Sequence, residues 1–223
     1  MKKHIPNIIT LANLSSGIIG ILFAFEGNLV YAAMAIWIAT LFDFFDGFFA
    51  RLLKVTSAVG KELDSLADLV SFGVLPGTIL YQMIDGSIND PITLLPFLLT
   101  VFSALRLAKF NVDTRQSDSF IGLPTPAAAF FVSGLPFWLA QNPDWFNQPV
   151  VITIGLILSL LLVAPIHLLA LKFKNYSIKD NWQRFLLLII SLILIIILQA
   201  KALPLIISLY ILISILLPKP EQQ

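Results

Sequence analysis

The sequence predicts an all-α protein that crosses a membrane repeatedly, and three observations predict it. Apolar stretches follow one another along the chain, most of about 18 residues or more, the length at which a helix spans a hydrocarbon core of ~30 Å. Only 12% of the residues are charged and 58% are hydrophobic, whereas a soluble domain carries about a quarter charged residues. The stretches also lack the period-two alternation that a membrane barrel requires. One such run would anchor a soluble domain; a succession of them makes the membrane itself the folding medium.

Eight spans are expected, with the whole of 1–223 forming one integral membrane domain. The first, about 8–25, follows Lys2 and Lys3; no A-x-A-like cleavage site comes after it, so it reads as a retained span. It closes at EGN, 26–28. The second, 30–51, ends in the polar string DFFDGFFAR, and the third, 61–84, begins with GKELDSLAD. Within the third, Gly73 and Gly77 have the small-xxx-small spacing of helices that pack closely. The turn-rich DGSINDP, 85–91, leads to the fourth span, 92–110. The connection 111–123 is too short to fold alone. Pro124 and Pro126 open the fifth span, 124–140, because proline suits the first turn of a helix. QNPDWFNQP, 141–149, offers Trp145 and Phe146 as interface anchors before the sixth span, 150–171. KFKNYSIKDNW, 172–182, precedes the last two, 185–200 and 203–217, which only QAK separates, so they should form a tight hairpin. The chain has no cysteine, which excludes thiolate nucleophiles, Cys-ligated zinc and disulfides. His4 and His167 stand alone and read as structural.

The basic residues support this count. With the N-terminus cytoplasmic, eight spans place Lys2, Lys3, Arg51, Lys54, Lys61, Arg106, Lys109, Arg115, Lys172, Lys174, Lys179, Arg184 and Lys219 on the cytoplasmic side, leaving Lys201 alone opposite. Both termini are then cytoplasmic. An odd number of spans would scramble that division.

Carboxylates inside such a chain demand explanation. Asp43, Asp46, Gly47, Ala50 and Arg51 are spaced so that they share one helical face, while Phe44, Phe45, Phe48 and Phe49 cover the other. Gly60, Asp64 and Asp68 form a second one-faced stripe at the start of the next span. A short connection joins the two helices, so the four aspartates can converge just inside the cytoplasmic face. An Asp at a helix centre costs roughly 2.5–3.5 kcal/mol on insertion scales, less near the ends. Four carboxylates together also repel one another. Hard divalent cations with oxygen ligands answer both problems, and a pair of ions suits displacement at phosphorus. The small residues beside the acids leave room for a bulky anion against the helix backbones.

The full pattern, D-x-x-D-G-x-x-A-R-x8-G-x-x-x-D-x-x-x-D over 43–68, resembles at every position the signature of the CDP-alcohol phosphatidyltransferase family. The resemblance implies a core of six membrane helices, with the last two spans an addition, and a homodimer. It implies that Asp43, Asp46, Asp64 and Asp68 hold two Mg²⁺ or Mn²⁺ ions and that Asp68 is also the general base. Gly47, Ala50, Arg51 and Gly60 would line the CDP pocket, with Asn7 and Thr10 of PNIITLAN, 6–13, beside them. That string, RLAKFN at 106–111 and FIGLPTPAAA at 120–129 are similar to strings in the family's membrane-embedded, serine-accepting members from bacteria and archaea. The implied reaction transfers a phosphatidyl group from CDP-diacylglycerol to L-serine in the inner membrane of a prokaryote. The region 106–129 would select the acceptor, and Arg106, Lys109, Asn111 and Arg115 would bind it. No nucleic-acid partner is expected. Two alternatives stay open: the same chemistry with glycerol 3-phosphate or an inositol phosphate as acceptor, and an ion-coupled transporter that uses the aspartates as a cation path.

Overall fold

A computed structural model describes residues 4–55, 57–112, 120–169 and 177–216. Helix α1 (Ile5–Phe25) and helix α2 (Leu29–Leu52) are joined by a turn in which Gly27 takes φ 76°, a left-handed backbone that glycine adopts at little cost. The two helices pack through small residues: Gly17, Gly20 and Ala24 are buried on α1, and Ala32, Ala35 and Ala39 on α2. A side chain at Gly20 would overlap both Ala35 and Leu75, so the absence of one lets α1 sit against two neighbours.

The third rod is continuous from Ala58 to Met83 but changes register on the way. Helix α3 (Ala58–Asp68) is capped by Ser57, whose hydroxyl accepts from the Gly60 N–H at 2.9 Å. A π-helical segment, Leu69–Val74, follows, and helix α4 (Leu75–Met83) resumes the ordinary winding. Pro76 has no N–H to give to the carbonyl one turn back, which removes an α-helical bond where the wide turn is found. A 3-10 segment, Pro91–Phe97, is capped by Asp90 and continues as α5 (Leu98–Val112). Gly73 and Gly77 both face α5, against Ser103 and Thr100. They serve packing, as their spacing predicts.

Helix α6 (Thr125–Leu139) and helix α7 (Gln148–Val163) are shorter, at 15 and 16 residues. The apolar run 150–171 is not one span. The helix stops at Val163 because Ala164 precedes Pro165 and is driven to an extended backbone (φ −60°, ψ 141°). The chain then pairs as a strand, β2 (His167–Leu168), antiparallel to β1 (Phe120–Ile121), a two-residue ribbon in an otherwise helical protein. Helix α8 (Ile178–Leu198) and helix α9 (Ala202–Leu216) are divided by the turn Gln199–Lys201, entered through Gln199 at φ 52°.

Five stretches among the described residues are long and apolar enough to cross a membrane, the fifth being Asn181–Leu216, which holds α8 and α9 together. The packed centre runs through Ile36, Phe72, Leu75, Ile79, Leu80, Leu99, Leu123 and Leu162, all nearly or wholly buried. Leu192, Ile196 and Ile197 on α8 are exposed and suit a lipid-facing surface. Trp138 stacks on Trp145, and Lys201 both lies over the Trp138 ring and donates to Gln141. The one basic residue read on that side is thus gathered into an aromatic belt.

Candidate active site

The α2–α3 pair presents its polar faces inward, as the stripe spacing requires. Asp46 is buried, while Phe44, Phe45 and Phe48 on the far side are exposed. Asp43, Asp64 and Asp68 each bring one carboxylate oxygen within 4.8 Å of the others, a donor set suited to a hard divalent cation. Asp46 stands beside this trio and is held by α1: the Thr10 hydroxyl donates to its Oδ2 at 2.6 Å. Asn13, one turn further along α1 and fully buried, donates from Nδ2 to Asp68 Oδ1 at 3.3 Å. Its own Oδ1 is buried without a hydrogen-bond partner among the described residues. The residues present therefore fit a divalent metal centre on the chemistry of their donors.

Next to the cluster is a cavity of about 550 Å³ lined by α1, α2 and α3. It gathers Asn7, Thr10, Gly47, Ala50 and Gly60, five of the residues expected to surround a nucleotide, together with Asp46 and Asp64. Small residues hold it open. The space beside Gly60 is bounded by Asn7 Oδ1 and Ser57 Oγ, and that beside Gly47 by the Arg51 guanidinium. Arg51 itself is exposed and does not line the cavity. Pro6, Val55, Ser57, Ala58 and Lys61 complete the wall without having been expected there.

The four basic and amide residues expected to bind an acceptor part company. Arg106 is 9% exposed, within electrostatic reach of Asp68, and donates from Nη1 to Thr125 Oγ1 at 3.2 Å. Asn111 ties the end of α5 to α3: its Nδ2 donates to Ser65 Oγ at 2.9 Å, and its carbonyl accepts from Lys61 Nζ at 2.7 Å. Lys109 is exposed. Arg115 lies outside the described residues.

A sequence model of the CDP-alcohol phosphatidyltransferases matches residues 3–163. The chain belongs to that family. It is a membrane-embedded transferase of phospholipid biosynthesis, and the transport reading of its carboxylates falls away. The match takes in six helical rods, α1 through α7 with α3 and α4 as one, and leaves α8 and α9 beyond it.

Among named relatives, a CDP-diacylglycerol–serine O-phosphatidyltransferase of Helicobacter pylori is 32% identical over 218 residues, covering 95% of this chain and 89% of its own. One from Bacillus subtilis is 36% identical over 141 residues, 63% of this chain and 78% of its own. An archaetidylserine synthase of Methanothermobacter thermautotrophicus is 37% identical over 131 residues, 58% of this chain and 56% of its own.

The transferase also contains contacts that the sequence alone does not put in the site. Asn13 lies one helical turn from Thr10, so periodicity places the two on one face, but it does not give the bond from Asn13 to Asp68. Thr125 falls in the string FIGLPTPAAA, but its bond to Arg106, like the approach of Tyr210, comes only through the tertiary fold.

Proposed function

We propose that this transferase moves the phosphatidyl group of CDP-diacylglycerol to the hydroxyl of L-serine, giving phosphatidylserine and CMP. The observation that carries the reading is the join between the cavity of small residues and the aspartate cluster, with one buried cation, Arg106, set against that cluster. The relatives named for serine supply the acceptor.

Asn7, Thr10, Gly47, Ala50 and Gly60 form the pocket for the CDP moiety, leaving the lipid's chains in the bilayer. Asp43, Asp46, Asp64 and Asp68 would hold two Mg²⁺ or Mn²⁺ ions, which supply charge neutralisation at the pyrophosphate when bound. Arg51, beside Gly47 at the cytoplasmic mouth, adds a fixed positive charge for the leaving nucleotide. Asp68 takes the proton from the serine hydroxyl, and Asn13 limits the rotation of that carboxylate. The serine oxygen forms a bond to the lipid-side phosphorus as the bond from that phosphorus to the CMP oxygen breaks. CMP leaves with the electron pair, so no covalent enzyme intermediate is needed. Arg106 receives the serine carboxylate, for which a guanidinium has matching donors. Within 106–129, the acceptor-selecting region of this reading, Arg106 lies within electrostatic reach of Asp68 and is bonded to Thr125, whereas Lys109 is exposed. In this reading the enzyme works as a homodimer in the inner membrane of a prokaryote, and the distribution of basic residues supports termini and site on the cytoplasmic side.

The test is CMP release by the purified protein in detergent with CDP-diacylglycerol. Serine, glycerol 3-phosphate, inositol and inositol phosphate are offered separately, each with Mn²⁺ or Mg²⁺ and with a chelator. Release is expected only with serine and only with metal. Release driven by another alcohol would discard serine and keep the family chemistry. Release that survives the chelator would remove the metals from the reading.

A further inference from the structure

Helix α9 lies beyond the rods that carry the signature, yet it reaches the back of the site. Tyr210 is buried, and its phenol lies within electrostatic reach of the Arg106 guanidinium. The same phenol donates to the Leu169 carbonyl at 3.1 Å, and the Leu169 N–H donates to Ser214 Oγ, one turn further along α9, at 3.1 Å. One face of α9 thus holds both backbone groups of a single residue.

From Leu169 the connection runs forward without slack. Leu168 of β2 pairs with Phe120 of β1. The Gly122 N–H donates to the Ile166 carbonyl and the Leu123 N–H to the Leu161 carbonyl, each at 2.8 Å. Gly122, at φ 78°, sits so close to the Leu162 carbonyl that a Cβ there would overlap it. Two residues beyond Leu123 is Thr125, fully buried, which accepts from Arg106 Nη1. Arg106 Nε is buried with no hydrogen-bond partner among the described residues. A buried guanidinium N–H left unpaired is costly, and a bound carboxylate would relieve that cost.

We infer that α9 braces the acceptor side of the site. By gripping Leu169 it fixes the β1–β2 ribbon and, through it, Thr125. With Tyr210 it closes the wall behind Arg106, so that the guanidinium is held with its Nε edge free for the acceptor's carboxylate. Tyr210 and Ser214 are positioning residues. The inference rests on the proposed transfer to serine, and it gives the last two spans a part in acceptor binding.

The experiment compares the unchanged enzyme with Tyr210→Phe/Ser214→Ala and with Arg106→Lys, measuring KM for serine, KM for CDP-diacylglycerol and kcat. The thermal midpoint checks folding. The double variant should raise the serine KM about tenfold, as expected for losing two neutral hydrogen bonds, and leave the KM for CDP-diacylglycerol in place. Arg106→Lys should raise the serine KM as well, because an ammonium cannot reproduce the fork. A serine KM moved by Arg106→Lys but not by the double variant would overturn the brace and leave the acceptor reading standing. A serine KM moved by neither would overturn both. A serine KM moved by the double variant alone would overturn the route through Arg106. Both KM values rising together would reduce α9 to general support and overturn the inference.

Discussion

Asp46 and Asp68 belong to one signature but keep different company. Asp46 takes a hydroxyl hydrogen bond from Thr10, and Asp68 takes an amide one from Asn13 while facing Arg106. Within the metal-binding trio, Asp68 is the member in electrostatic reach of the buried Arg106, the place a base must occupy to meet a charged acceptor. Asp68→Asn keeps the shape and should lower kcat by about 10²–10⁴-fold, the usual worth of a general base. The affinity for CDP-diacylglycerol should stay within about twofold. Equilibrium binding of the lipid nucleotide beside turnover measures both, and an equal fall in the two would make Asp68 a substrate-holding residue only. The aspartates were legible in the sequence because helical periodicity is a local rule: acids three or four residues apart must share a face. The partners that select among them were not. Asn13 and Asp68 are separated by 55 positions, and nothing near either residue encodes their meeting. Arg106 and Lys109 show the same limit. They sit three apart on α5, yet one is buried and the other exposed, because Thr125 and Tyr210 approach only one of them.

At the level of elements, the site depends on how closely α1 approaches the third rod. Gly17 lies against the backbone of Ser71 in the π-helical segment, and the Ser71 hydroxyl donates to the Asn13 carbonyl at 3.0 Å. A Cβ on Gly17 would stand 2.9 Å from the Ser71 Cα, and backbone cannot yield as a side-chain tip can. Gly17→Val should therefore push α1 outward, cost about 1–3 kcal/mol of stability and carry Thr10 and Asn13 away from their carboxylates. A lowered thermal midpoint together with lost metal-dependent CMP release checks it; an unchanged midpoint would mean the helices do not depend on that contact. The close approach was half readable, since small residues on α1 and α2 mark packing faces, but the wide turn after Asp68 was not. Hydropathy records what lipid and core tolerate and is silent on the register of the backbone. The same blindness extended the sixth span to 171, where Ala164 and Pro165 end the helix at Val163.

For the molecule as a whole, charge and hydropathy placed the eight helical rods among the described residues in order, because both are imposed by the membrane directly. Their arrangement around the cavity follows from small-residue contacts distributed over the chain. One dimension of that arrangement concerns the bilayer itself. Helices of 15 and 16 residues, α6 and α7, are about 22–24 Å long, against ~30 Å of hydrocarbon. Thr125, at the start of α6, is bonded to Arg106, which lies within electrostatic reach of Asp68, so the acids stand toward that end of the short pair. Lipid must thin there, or the headgroup layer must sag, by several Å. A bilayer thinned there would form a wet hollow through which a small zwitterion reaches the carboxylates just inside the cytoplasmic face. Reconstitution into bilayers of increasing acyl length should raise the serine KM progressively, as thicker hydrocarbon fills the hollow, whereas a flat profile would mean that the membrane gives the polar substrate no such entry.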